Sequence, residues 1–426
     1  MFIRLPAVVC SVLGIVFGVA TRDAGIAVLI TIVLVFLVLL DAALAPNPSV
    51  LVADRNGDDS VRVGDEAAAT LTLTNPSGRK ISGMFRDAWP PSANVSPSRH
   101  GFRLRPRSEA IFDSSLRPER RGTIHSSTVT VRTFGPLGLA GRQKSAPTSW
   151  QIHVLPPFVS RRNIPSRVRQ LRELDGRSLL LTRGEGTEFD SLREYVAGDD
   201  VRAIDWRSTA RLGETVVRTW RPERDRHVVI VLDAGRGGAL RVAEGPAFDT
   251  FIEAALLQSA IAQRAGDRVS VIAMDDQLRA RLALEHTKTI THKVAQTLAD
   301  IEPSLHATDW ASLPAYISQI SKRPAFVVIA TTIGGGTLSS GLVDVLPTLK
   351  RTHTVLVASV HTGDPEREEE VGAIYELAAH ERSQIEENNL ARSLERAGAK
   401  VVRSDAEGLP VAGVDTYMSL KARGLL

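Results

Sequence analysis

The stretch "EFDSLREYVAGDDVRAIDWRSTARLGE", residues 188–214, holds the densest set of side chains able to do chemistry. Acids stand at 188, 190, 194, 199, 200, 205 and 214, and arginines at 193, 202, 207 and 211. Magnesium takes a near-octahedral shell of oxygens, and Glu188, Asp199, Asp200 and Asp205 hold enough carboxylates for a magnesium-dependent hydrolase. No histidine accompanies them, and the interleaved arginines are planar forks that pair bidentately with carboxylates and fix geometry. The same residues therefore predict a network that joins one domain to the next and overlaps a partner-binding surface. In that reading "AGDD" (197–200) is a turn whose Asp side chains bind backbone N–H groups. Trp206 is expected beneath it, between a pair-forming Asp205 and Arg207. The network is the preferred reading and the hydrolase its alternative.

A second candidate lies at Asp233, which closes the apolar run "HVVIVLD" (227–233). Its plain reading is a strand-end acid that caps local N–H groups or pairs with Arg236. Other chemistries are thinly supported. The single Cys10 lies in an apolar run, which excludes disulfide frameworks and thiolate metal sites. No G-x-x-x-x-G-K-[ST] loop is present, so the chain is not itself a P-loop ATPase. A net charge of +4 over 426 residues, with no aromatic residues among the arginines of 157–187, argues against nucleic acid as a partner.

The elements that must position these residues fall into four regions. Residues 1–45 contain two apolar runs, 5–20 and 24–45, parted by "TRD". About 20 apolar residues cross a bilayer, so the pair predicts a transmembrane helical hairpin and a multi-pass membrane protein with cytoplasmic soluble domains. Residues 49–156 alternate with period two between Gly- and Pro-rich turns, as in "AAATLTLTN" (67–75) and "GTIHSSTVTVRT" (122–133), and predict a β-sandwich-like domain. Residues 157–226 form an Arg-rich connector that carries the acidic cluster. From 227 to 426 apolar strands alternate with helices, the pattern of an α/β domain on a parallel sheet. Ligands of such sheets gather at the carboxyl ends of strands, which places Asp233 and the loops after 274 and 330 together.

The segment 184–211, followed by "HVVIVLD", resembles the signature of the bacterial domain of unknown function 58 family. The resemblance is carried by Gly184, Gly186, Glu188, Phe189, Leu192, Arg193, Tyr195, Gly198, Asp199, Asp200, Arg202, Ile204, Asp205, Trp206 and Arg211. "RRG" (120–122) and "FGPLGL" (134–139) look like further landmarks of that family. The resemblance implies a membrane hairpin, a sandwich-like region and a Rossmann-like von Willebrand factor A-type domain. It also implies protein partners, notably a MoxR-type AAA ATPase in envelope-related processes, and brings no established enzymatic activity.

Many von Willebrand A-type domains hold magnesium through D-x-S-x-S, a distant Thr and a later Asp. Asp233 matches the first Asp and Thr308 the Thr, but Gly235 and Gly237 replace the serines and Thr332 replaces the later Asp. Glycine offers no side-chain oxygen, so the position is degenerate and no metal or other cofactor is expected. The combined expectation is a non-enzymatic, membrane-anchored adaptor binding proteins. A purely structural, self-associating membrane protein is the further alternative.

Overall fold

The computed structural model describes residues 2–21, 24–181, 188–221, 226–243, 245–283, 289–334, 340–361 and 371–426. The chain divides into two compact units, Met1–Pro157 and Phe158–Leu426.

In the first unit the apolar runs form helices Leu5–Thr21 and Ala24–Leu44. The multi-pass expectation is corrected here. Among the described residues one helix, within the apolar segment Ala24–Val50, is long and apolar enough to cross a membrane. The first helix has 17 residues, which at about 1.5 Å each fall short of a hydrocarbon core of roughly 30 Å.

The remainder of this unit is sandwich-like. One sheet runs Phe2–Ile3, Ala140–Leu155, Gly122–Phe134, Ile81–Ala88, Arg99–Leu104, with Ser60–Arg62 also pairing Ala140–Leu155. The other runs Val52–Gly57, Ala67–Asn75, Ser108–Leu116, Val95–Ser96. Alternate residues of Ala67–Asn75 are buried, as the period-two pattern predicts. Leu71, Leu73, Phe85, Phe102, Val129 and Val131 share one core cluster.

A buried ion pair crosses that core. Arg55 and Asp87, both on otherwise apolar inner faces, pair directly. Arg55 also donates to the carbonyls of Ser126 and Thr148, and the Trp89 Nε1–H donates to Asp87 at 2.8 Å.

The "FGPLGL" landmark has a local cause. Asp41, near the end of the long helix, has no exposed surface. Its carboxylate accepts the N–H groups of Leu137 at 2.7 Å and of Leu139 and Ala140 at 2.8 Å. A Cβ on Gly135 would run into this carboxylate, so the turn needs glycine there. Arg142 closes the helix end by donating to the carbonyls of Ala42 and Ala43 at 3.0 and 3.1 Å.

The second unit contains a six-stranded sheet in the order Leu278–Ala283, Arg268–Met274, His227–Asp233, Ala325–Thr331, Thr354–Val360, Lys400–Ser404. Five strands are parallel, and Leu278–Ala283 adds an antiparallel edge that the sequence pattern did not indicate. Helices Ala247–Arg264, Ile290–Ala299, Leu313–Ile320, Ser340–Lys350, Val371–Arg396 and Leu409–Ala422 accompany it. The last helix was also unexpected. Its Tyr417 is wholly buried and donates to Asp267, which Lys421 bridges at 2.9 Å.

Candidate functional site

The acidic cluster folds as a two-stranded antiparallel hairpin, Glu188–Glu194 with Val216–Arg221. Between the strands lie a short 3-10 turn, Val201–Ala203, and a helix, Trp206–Leu212. Ile204, Val216 and Val217 are buried, and Ile204 bridges to Val217. Gly184 and Gly186 lie outside the described residues, as does the side chain of Glu188.

The described aspartates are occupied locally. Asp199 takes Arg193 in a two-pronged pair, one prong at 2.7 Å, and accepts the Val196 N–H at 2.9 Å. Asp200 caps the 3-10 turn by accepting the Arg202 N–H at 2.9 Å. Asp205 is the N-cap of the following helix: it accepts the Ser208 N–H at 2.9 Å and pairs with Arg218 at 2.8 Å. The Ser208 N–H first, and then Arg218, hold the Asp205 carboxyl below the usual range. Gly213 ends the helix in the left-handed region at φ +77°.

Two details differ from the sequence expectation. Asp205 pairs with Arg218, not Arg207. Trp206 is not packed beneath the turn but is 68% exposed. Both follow from the cap: Asp205 at the N-cap makes Trp206 the first helical residue, on the outward side.

With the three described aspartates engaged, other side chains are left outside. Val196 is 62% exposed, Val201 63% and Leu212 61%, and Tyr195 is half-exposed. The exposed arginines 202, 207 and 211 pair with no carboxylate among the described residues. The exposed surface therefore mixes apolar side chains with charges of both signs, Arg202, Arg207 and Arg211 alongside Glu194, Asp200 and Glu214. Among the described residues Asp199, Asp200 and Asp205 do not bring ligand atoms together as a metal site would.

Asp233 and Thr308 do come together. Asp233 is buried at the carboxyl end of its strand and accepts the Gly235 N–H at 2.9 Å, the Thr331 hydroxyl at 2.6 Å and the Thr308 hydroxyl. Burial pushes its carboxyl up in spite of these three donors, and the nearby Asp275 charge acts in the same upward sense. Arg236 donates to the Leu305 carbonyl at 3.3 Å instead of pairing with Asp233. Thr332, the residue matched to the later Asp, donates to the Gly237 carbonyl at 2.9 Å, while its neighbour Thr331 reaches Asp233. A Cβ on Gly235 would meet the Thr308 hydroxyl, and one on Gly237 the Asp233 carboxylate. The described contacts of the Asp233 carboxylate are thus to hydroxyl and backbone donors, and the flanking glycines offer no side-chain oxygen.

Sequence reasoning missed the neighbouring group. Asp275, Asp276 and His306 bring their ligand atoms within 4.8 Å of one another. The signal was the acid pair at 275–276 directly after an apolar strand, with a His two residues before Thr308. Arg279 lies on it, 2.6 Å from Asp275 and 3.9 Å from Asp276, so a guanidinium already supplies the positive charge. Burial pushes Asp275 up, but Arg279, the Ser304 hydroxyl and the Gln277 N–H outweigh it and hold the carboxyl at about 2.

A sandwich-like region, an α/β region and a hairpin with exposed apolar and charged side chains define the class: a multidomain protein with no assembled catalytic constellation among its described residues. The model of the family described as "Protein of unknown function DUF58" matches residues 191–405, just over half of the 426 residues, and the chain belongs to that family. No curated protein matches it. Among solved structures it is similar to the CARDB domain of a Pyrococcus furiosus protein, at 15% identity over 24% of this chain and 91% of that one, with a TM-score of 0.19. It is also similar to the conserved hypothetical protein BatB of Bacteroides thetaiotaomicron, at 14% identity over 46% of this chain and 98% of that one, with a TM-score of 0.29. Likenesses at these scores assign no activity or partner.

Proposed function

We infer that the chain is a non-enzymatic adaptor, anchored to a membrane by Ala24–Leu44, whose signature hairpin binds a protein partner. The observation that carries this reading is the exposure of Trp206, with Val201 and Leu212 also exposed, on a segment whose described aspartates are already bonded. Aromatic and arginine side chains dominate the energetics of protein interfaces, whereas scattered exposed aliphatics do not. Arg202, Arg207 and Arg211, with the exposed Glu194, Asp200 and Glu214, give the segment charges of both signs with which to fix a partner's register. The partner that family resemblance suggests is a MoxR-type AAA ATPase. The α/β unit is then a von Willebrand factor A-type domain in which Asp233 has become a structural residue rather than a metal ligand.

The test is an in vivo crosslinked pull-down of the full chain from solubilised membranes, with the ATPase identified and quantified by mass spectrometry. Truncating an interface tryptophan at a hot spot costs about 2 kcal/mol, roughly a thirty-fold loss of affinity. Trp206→Ala is therefore expected to lose most of the captured ATPase at matched folded protein, with Arg207→Ala adding to the loss. Asp233→Asn is expected to retain it. Equal capture by Trp206→Ala and wild type rejects the hairpin as the docking face. Absence of the ATPase from the wild-type sample rejects that partner.

A further inference from the structure

The carboxyl end of the long apolar helix borders an open cavity of about 410 Å³. Leu39, Ala43 and Pro48 form its apolar side, and Asn47, Arg142 and Lys144 its polar side. Arg142 is held in place because its guanidinium caps the last carbonyls of the helix, which are neutral groups. No carboxylate of the described residues pairs with Arg142 or Lys144, and Lys144 is exposed. The chain around them is one-sided in charge: residues 120–157 hold five Arg and Lys and no Asp or Glu. The one acid nearby, Asp41, is buried with three backbone N–H groups around it.

Above the cavity the helix continues the site in the apolar direction. Phe36, Leu39, Leu40 and Ala43 follow the three- and four-residue spacing of a single helical face. Phe36 is 62% and Leu39 55% exposed. A ligand that suits all of this has an anionic head, which two cationic side chains and an amide can hold, and long apolar tails. Cationic residues immediately beyond a membrane helix contribute about 1 kcal/mol each toward anionic lipid.

We propose that this cavity holds the headgroup phosphate of an anionic phospholipid whose acyl chains lie along Phe36, Leu39 and Leu40. The site rests on the reading of Ala24–Leu44 as a membrane anchor. It would favour membranes rich in anionic lipid and fix the sandwich-like region at the headgroup level.

The experiment is native mass spectrometry of the full chain in an uncharged detergent, with dioleoylphosphatidylglycerol or dioleoylphosphatidylcholine added at equal mole fraction. Wild type is expected to retain phosphatidylglycerol preferentially. Lys144→Gln, at an exposed position where folding is not in question, is expected to reduce that preference about fivefold, the equivalent of about 1 kcal/mol. Arg142→Lys, which keeps the charge but not the two-pronged cap, is expected to keep most of it. Equal retention of the two lipids, or a Lys144→Gln chain with the wild-type preference, overturns the proposal. Displacement of the lipid by inorganic phosphate at equal concentration would assign the site to free phosphate and also overturn it. Alkaline carbonate washing of membranes separates the two readings. A chain that washes off refutes the anchor itself, whereas a retained chain with no lipid preference refutes only the headgroup site.

Discussion

Asp233 and Asp275 end adjacent parallel strands, both without meaningful exposure, yet they titrate in opposite senses. Asp233 is served by neutral donors only, so burial dominates and its carboxyl is raised. Asp275 has a guanidinium, and its carboxyl is held at about 2. The consequences for stability occupy different pH windows. A raised acid costs the folded state nothing below the unfolded value of about 3.9, where both states are protonated, and costs progressively more as pH climbs through the folded value. A depressed acid stabilises above about 3.9, and this contribution is lost as pH falls from there toward 2. Asp233→Asn keeps an oxygen for Gly235 and Thr308 and cannot ionise. Its melting temperature relative to wild type is therefore expected to rise as pH climbs from about 4 and to level off once pH has passed the folded value. Each unit of the removed shift corresponds to about 1.4 kcal/mol, or roughly 2–4 °C for a unit of this size. Parallel wild-type and variant curves across that range would show that Asp233 is not perturbed.

At the level of elements, the Asp41 latch ties the turn at 135–140 to the end of the long helix. Three N–H groups converge on one carboxylate, and removing it leaves all three without that acceptor. Hydrogen bonds to charged groups contribute about 1.5–3 kcal/mol each, so Asp41→Ala is expected to cost at least about 3 kcal/mol. The readout is limited proteolysis of the full chain in detergent, with cleavage appearing within 134–141; unchanged protection would mean that the turn holds itself.

Elements of this kind differ in how far the sequence announces them. The strands His227–Asp233, Ala325–Thr331 and Thr354–Val360 are apolar throughout because a central parallel strand is buried on both faces, and such runs read directly. The strand Leu278–Ala283 carries two arginines at an exposed edge and has no such pattern. The helix Leu409–Ala422 mixes Pro, Gly and β-branched residues, and its place is set by tertiary contacts of Tyr417 and Lys421 that no local spacing reveals. In the candidate site, turn chemistry made the backbone contacts of Asp199 and Asp200 readable, since the Val196 and Arg202 N–H groups lie within three residues. Arg218 and Thr331 reach Asp205 and Asp233 across strands, and only the fold supplies those pairings.

For the whole molecule, the decisive question is whether Ala24–Leu44 holds it at a membrane, since both the adaptor reading and the lipid site depend on that helix. That helix carries one ionisable residue, Asp41, near its carboxyl end, and the stretch before it is apolar from Ala24 to Leu40. Ile32 and Phe36 lie near its middle and are 60% and 62% exposed, so substitution there does not disturb the described core. An arginine at the centre of a spanning helix costs about 2.5–3.5 kcal/mol on insertion scales, and two on one face cost roughly twice that. The Ile32→Arg, Phe36→Arg double variant is therefore expected to move from the carbonate-washed membrane pellet to the wash. Single variants should move in part, because one long side chain can snorkel toward the headgroups. A double variant that stays in the pellet while its soluble regions remain folded would place the attachment elsewhere, on the basic surface or on a membrane-bound partner. Trp206→Ala in the same background then distinguishes these two. Release by that substitution would make partner binding the anchor, and continued retention would leave the basic residues of 120–157 as the attachment.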